Sequence, residues 1–247
     1  MGKSRYRSEV KQRVVAIVQA RMGSTRFPGK MLADLGGHPL LEWVLHRVTR
    51  ATMIDETILA TSTHSRDDPL AELAKKCSVR VYRGDESDVL GRFVGAAGIS
   101  EADRVVRVCA DNPFVDPGEI DRLVDFFDSA NSDYACNHLE RPGSRYADGF
   151  GAEILCADLL QQVAAKATEE AHREHVTSYL WDHAKDYRLT AVPAPRALAH
   201  PELSFDVDAP ADLARLESLV AAGVDLDTTA GRIVELALIH GVRLKAI

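Results

Sequence analysis

An apolar run, Val14–Val18, leads through Gln19 and Ala20 into a turn that holds Arg21, Gly23, Ser24, Thr25, Arg26, Gly29 and Lys30. A short, β-branched apolar run predicts a buried strand. A strand that ends in three cations, two hydroxyls and two glycines within ten residues suits a bound polyphosphate. Glycines let the backbone approach, hydroxyls and amides donate, and Arg and Lys neutralise charge. The spacing differs from a Walker loop, because Gly23 and Gly29 are six apart and Met31 follows Lys30. No G-x-G-x-x-G fingerprint is present in this run either.

Strand-like and helix-like segments alternate beyond this turn. Pro39–Arg50 has apolar residues at helical spacing, and Glu56–Ala60 reads as a strand. Asp67 or Asp68, followed by Pro69, predicts a helix start reaching Lys76. Val79–Tyr82 is a strand, Asp88–Ala97 a helix, Arg104–Cys109 a central strand, and Pro117–Asp128 a helix. The pattern changes over Tyr134–Arg196, with short strands at Tyr134–Asn137 and Gly151–Leu155 and a helix over Ala171–His183. A strand at Leu203–Val207 and helices at Pro210–Ala222 and Thr228–His240 follow. This alternation predicts an α/β fold: a mostly parallel, doubly wound, Rossmann-like sheet with helices on both faces. Ligands in such sheets bind at the carboxyl ends of the strands, where the 21–30 turn and Asp111 both fall.

Composition narrows the function. The 247 residues carry a net charge of −7 and are 46% hydrophobic, which predicts a packed globular chain. An acidic chain lacks the cation excess that nucleic-acid binding needs, so a small anionic ligand fits the local basic turn better. The four cysteines form no C-x-x-C pair, and no apolar run reaches the length of a membrane span. The polar, basic residues 1–12 read as a flexible leader rather than a secretory signal, and a cytoplasmic protein with no membrane partner is expected.

Further groups complete a candidate site. Asp111 directly follows a predicted strand and is well placed for a divalent cation, which takes one or two carboxylates with phosphate oxygens and water. Asp206 and Asp208 alternate along a predicted strand, so both carboxylates point to one face and invite a cation between them. His172 and His175 are three apart on a predicted helix, but no third ligand accompanies them.

The segments Gln19–Lys30, Val81–Phe93, Val106–Pro117 and His172–Leu180 resemble the spore-coat polysaccharide biosynthesis F-type branch of the cytidylyltransferases that activate acidic sugars. Phe205–Leu213 resembles the wider group, which includes the Kdo and acylneuraminate cytidylyltransferases. The resemblance covers about residues 14–220. It implies a three-layer α/β/α nucleotidyltransferase domain over 13–247, with an inserted lobe at about 134–200 used for dimerisation and substrate binding. It implies a homodimer that takes CTP and a small acidic acceptor, with Mg²⁺ or Mn²⁺ as cofactor.

By the same resemblance, Arg21, Ser24, Arg26 and Lys30 bind the CTP phosphates, with Gly23 and Thr25 in the same loop. Ala20, Arg83, Asp88 and Arg92 lie near base and ribose. Asp111 and Asp208 hold the metal, with Asp206 as an extra ligand. Tyr146, Asp148, Glu153 and Glu174 face the acceptor. A carboxylate on that acceptor calls for a cation, for which Arg141, Arg145 and Arg173 are available. The expected reaction is cytidylyl transfer to an acidic sugar with release of pyrophosphate, carried by Arg21, Lys30 and Asp111. Alternatives are a phosphonate or polyol phosphate acceptor, a nucleotide-sugar-dependent glycosyltransferase, and a non-catalytic nucleotide-binding regulator.

Overall fold

A computed structural model describes residues 11–138 and 144–241. Most of the expected leader and Arg141 lie outside the described residues. Strand β1 (Val14–Gln19) is followed by a short hairpin, β2 (Asp34–Leu35) and β3 (His38–Pro39), and by helix α1 (Leu40–Val48). Then come β4 (Glu56–Ser62), α2 (Asp68–Lys76), β5 (Arg80–Gly84), α3 (Val89–Ile99), β6 (Arg104–Cys109) and α4 (Pro117–Ser129). The second half holds β7 (Tyr134–Cys136), β8 (Glu153–Cys156), α5 (Ala157–Lys166), α6 (Glu170–Glu174), α7 (Ser178–Asp182), β9 (Leu189–Ala191), α8 (Pro210–Ala221) and α9 (Ala230–Ile239).

Seven strands form one sheet in the order β5-β4-β1-β6-β8-β7-β9. The β1–β4, β4–β5, β1–β6 and β7–β9 pairs are parallel, while β8 runs antiparallel to both β6 and β7. Chain order runs outward from β1 to β5 and then returns to β6 on the other side of β1. That reversal opens a crevice between the carboxyl ends of β1 and β6, where α/β sheets bind ligands.

The sheet is buried on both faces, which is why β1 is apolar throughout. Alternate residues Val14, Ala16 and Val18 join a core with Leu41, Val44 and Leu45 of α1 and Ile120, Leu123 and Val124 of α4. Val15 and Ile17 face the opposite way, onto Leu90 and Phe93 of α3 and Leu160 and Val163 of α5. A third core gathers Trp43, Phe114, Phe150 and Phe205 under α8 and α9. Ile17 is fully buried, so its truncation to Ala costs about 2–5 kcal/mol. Asp116 fixes the start of α4 by accepting from the Gly118 and Glu119 amides, and its other oxygen takes the Ala230 amide at 2.8 Å, tying α9 to α4.

The second half departs from expectation in four places. Leu203–Val207 forms no ladder and contributes one isolated bridge, Asp148 to Ser204. Its backbone bonds are divided between two neighbours: Phe205 N donates to Asp148 O, and Val207 N donates to Asp111 O. The expected Ala171–His183 helix is two short helices, α6 and α7, broken where His175 leaves helical geometry (φ −103°, ψ 88°). Helix α5 and strand β9 were not expected. The 134–200 stretch adds β7, β8 and β9 to the main sheet.

Candidate active site

The turn after β1 is held from below. Asp67, fully buried before α2, accepts from the Met22 amide at 2.8 Å and also takes the Thr61 and Ser62 hydroxyls. Ser24 Oγ accepts from the Phe27 amide at 3.3 Å, and Gly29 turns the chain at φ 75°, a region that favours glycine. Lys30 then opens a single 3-10 turn that aims its ammonium into the crevice.

Two cavities meet there. One, of about 510 Å³, is lined by Ala20, Arg21, Gly23, Ser24, Thr25, Arg26 and Lys30 from the turn, with Arg92, Asp111, Glu174 and Asp208. The second, of about 580 Å³, is lined by Asp148, Glu153, Thr177, Trp181 and Asp206 among others. Arg26, Arg107, Cys109, Asp111, His175 and Asp208 border both, so a ligand in either cavity reaches the other across this boundary.

Each cation of the turn faces a carboxylate. Arg21 Nη2 lies 2.7 Å from Glu174, and Arg26 Nη1 lies 3.0 Å from Asp208. Lys30 Nζ is 3.7 Å from Asp111 and 3.6 Å from Asp208, and donates to Val207 O at 2.9 Å. Burial raises the Asp111 carboxyl above its ordinary value; Lys30 opposes this, while Asp208 and Asp206 add to it by repulsion. Burial also pushes the Cys109 thiol up to about 12, so it is a neutral wall rather than a nucleophile.

The metal site expected from three aspartates is only partly assembled. Asp111 and Asp208 converge on Lys30, but Asp206 takes a hydrogen bond from Ser204 Oγ and lines only the second cavity. Without a ladder strand at 203–207, Asp206 and Asp208 do not share a strand face. Among the described residues no group of three or more His, Cys, Asp or Glu side chains is arranged to hold an ion. A pair of carboxylates still fits a hard divalent cation, which usually takes one or two and completes its shell with phosphate oxygens and water.

Several expected residues lie elsewhere. Arg83 donates to Ser62 O and His64 O and pairs with Asp68, away from both cavities. Asp88 caps α3 through the Gly91 amide and pairs with Arg173, whose Nη1 donates to Ala164 O. Neither of those two lines the crevice. Tyr146 is a core residue whose hydroxyl donates to Glu119, and Arg145 is exposed outside both cavities with φ 57°. Glu153 lines the second cavity but is almost fully buried, bonded to Arg107, Tyr134, His138 and Thr177. Sequence reasoning missed Gln19, Arg107, His138, Thr177 and Trp181, whereas His175, singled out with His172, borders both cavities. The available signal was Arg107, a cation between Val106 and Val108 in the interior of the central strand.

The chain is similar to known cytidylyltransferases. The cytidylyltransferase family profile matches residues 15–233. The spore coat polysaccharide biosynthesis protein SpsF of Bacillus subtilis (strain 168) is 34% identical over 229 residues, 90% of this chain and 93% of that one. A 3-deoxy-manno-octulosonate cytidylyltransferase of Trichlorobacter lovleyi is 34% identical over 114 residues, 46% of this chain and 44% of that one. A cytidylyltransferase structure from Leptospira borgpetersenii superposes with a TM-score of 0.87 at 25% identity, covering 96% of this chain and 99% of that one. With this fold, this cationic turn and a profile match across most of its length, the chain belongs to the cytidylyltransferase family.

Proposed function

We propose that the protein transfers CMP from CTP to a small acidic sugar of the Kdo or nonulosonate class, releasing pyrophosphate. The observation that carries this reading is the convergence of Arg21, Arg26 and Lys30 beside Asp111 and Asp208, at the border of a second cavity large enough for a sugar. Three cations in one turn match a triphosphate better than a diphosphate sugar. Resemblance to a spore-coat polysaccharide protein and to a Kdo cytidylyltransferase supports the acceptor class.

In this reading CTP occupies the first cavity with its triphosphate along the 21–30 turn. The acceptor lies in the second cavity, with one hydroxyl directed at the α-phosphorus. That oxygen attacks in line, the bond from α-phosphorus to the bridging oxygen breaks, the hydroxyl proton passes to solvent, and pyrophosphate leaves. The protein contributes position and charge. Arg21, Arg26 and Lys30 stabilise the negative charge gathering on the leaving group. Asp111 and Asp208 are the residues that would hold Mg²⁺ or Mn²⁺, which supplies further charge neutralisation at phosphate oxygens. The same reading makes the enzyme a homodimer through the 134–200 stretch, for which light scattering is the check.

The test is pyrophosphate release from each of the four nucleoside triphosphates with Mg²⁺, against acidic sugars, phosphonates and polyol phosphates. The expected result is turnover of CTP with a 2-keto acidic sugar. Turnover only with a phosphonate or polyol phosphate overturns the acceptor class and keeps the transfer. No turnover of any triphosphate overturns both.

A further inference from the structure

Arg107 lies near the middle of the sheet. Its strand, β6, pairs with β1 on one side and β8 on the other, and Arg107 is opposite Ile17 and Glu153. The flanking residues Val105, Val106 and Val108 are all fully buried. A cation in such a place is costly, and a hydrophobic residue of similar size would serve the fold as well or better. The fold instead surrounds this charge with a dedicated network. Arg107 Nε donates to Gln19 Oε1 at 3.1 Å, and Nη1 donates to Glu153 Oε2 at 2.7 Å. Glu153 in turn takes hydrogen bonds from the Tyr134 and Thr177 hydroxyls, and His138 Nε2 is 3.2 Å from its Oε1.

This network fixes the guanidinium plane and uses only two of its three nitrogens. Nη2 makes no hydrogen bond to any described residue, and Arg107 borders both cavities at the boundary where they meet. Among the described residues, the other arginine on the wall of the second cavity is Arg26, which belongs to the 21–30 turn and is paired with Asp208. Of the cations expected from sequence to meet an acidic acceptor, Arg145 and Arg173 line neither cavity, and Arg141 lies outside the described residues.

The geometry points to Arg107 as the residue that binds the carboxylate of the acceptor and thereby selects acidic sugars. This assignment rests on the proposed cytidylyl transfer to an acidic acceptor. A guanidinium anchored through Nε and Nη1 at a cavity wall, with Nη2 making no hydrogen bond to a described residue, offers charge-assisted hydrogen bonds to a carboxylate at little further ordering cost. Glu153 and Gln19 are then positioning residues, which hold the guanidinium without touching the acceptor.

The experiment compares three proteins: wild type, Arg107→Lys, and the double variant Arg107→Gln/Glu153→Gln. The double variant removes both charges together, so no buried ion is left alone. Pyrophosphate release is measured with CTP and Mg²⁺ against Kdo, N-acetylneuraminate and the C1-carboxamide of each. The expected result is a rise of about thirty-fold or more in acceptor KM for both variants, with CTP KM within about three-fold of wild type. Wild type should discriminate against the carboxamides by a similar factor, and the double variant should lose that discrimination. Equal loss on carboxylate and carboxamide, or a change confined to kcat or to CTP, overturns the role of Arg107 and leaves the acceptor class standing. If wild type turns over CTP with neither acid, the acceptor reading fails and the assignment of Arg107 fails with it. If a variant does not fold, isotope-edited NMR of wild type with ¹³C1-labelled Kdo decides. A contact between the labelled carboxylate and the Arg107 guanidinium supports the role, and none overturns it.

Discussion

Arg21 Nη2 and Glu174 Oε1 are 2.7 Å apart, so a cation that borders the first cavity is already engaged by a carboxylate from α6. A triphosphate bound on the turn as proposed would compete with Glu174 for Arg21. Arg26 and Lys30 are likewise paired, but with Asp208 and Asp111, the two residues proposed to gain a metal ion. Glu174 has no such compensation and repels the incoming phosphates.

Glu174→Gln should therefore tighten CTP binding. Both side chains are partly exposed, so the competing pair is worth up to about 1 kcal/mol, and relief of repulsion adds to it. The expected change is about three- to ten-fold in Kd by calorimetry with Mg²⁺, with CMP affected less because it lacks the outer phosphates. Weaker CTP binding by the variant would show that Glu174 orients Arg21 rather than competing for it.

Asp111 should show opposite effects on stability and activity. Its folded pKa is raised, first by burial and then by Asp208 and Asp206, so its ionised form is less favourable folded than unfolded. That contribution to stability is lost as pH rises through the raised pKa. Asp111→Asn should raise the Tm of the nucleotide-free protein at pH 7 and reduce kcat about 100-fold or more, the scale of losing a charge-stabilising group. Lys30→Ala should lose turnover on the same scale without the gain in Tm, because it leaves Asp111 and Asp208 facing each other. Melting curves and pyrophosphate release on the same samples check both.

Apart from the β2–β3 hairpin, which was not expected, the first half of the chain was legible because its elements carry local signals. Strand β6 begins and ends where the apolar run does, and Asp88 and Pro117 mark the starts of α3 and α4. The second half was less legible because its structure is set by distant partners. Leu203, Phe205 and Val207 alternate like a strand, yet their periodicity serves the third core while the backbone bonds go to Asp148 and Asp111. Gly151 shows the same dependence. A Cβ there would lie 1.9 Å from Asn137 O, a close approach no local pattern announces. In the site, the 21–30 turn and Asp111 could be read because they directly follow strands. Arg107 could be seen as unusual, but only the β6–β8 register shows that Glu153 neutralises it. Arg83, Asp88 and Tyr146 have suitable chemistry, but the fold uses it for a loop, a helix cap and a core hydrogen bond.

Asp67 should act on nucleotide binding through the Met22 amide. Asp67→Ala leaves that amide and the buried Thr61 and Ser62 hydroxyls without their acceptor, at a cost of about 1–3 kcal/mol for each group left unpaired. The 21–30 turn loses its support from β4 at the same time. The expected result is a lower Tm together with a CTP KM raised about ten-fold and an acceptor KM little changed. Equal changes in both KM values would mean that Asp67 serves the fold alone.

Glu153 predicts how stability responds to acid. Burial opposes its ionisation, but Arg107 and His138 outweigh burial and hold its carboxyl well below the ordinary carboxylate range. A depressed folded pKa contributes stability that is complete above the unfolded-chain value, about 4.5, and is lost as pH falls toward the folded one. Glu153→Gln removes that contribution and leaves Arg107 without its counter-charge, a loss of about 3–5 kcal/mol at pH 7 for one partner of a buried pair. Below pH 4.5 the unfolded chain takes up this proton while the folded carboxylate still resists it, so the advantage over the glutamine shrinks until the folded carboxyl is protonated too. The stability gap between the two proteins should therefore be widest near neutrality and narrow steadily toward pH 2. Urea midpoints across that range measure it. A gap of constant size would place the acid sensitivity in other carboxylates and leave Glu153 a packing residue.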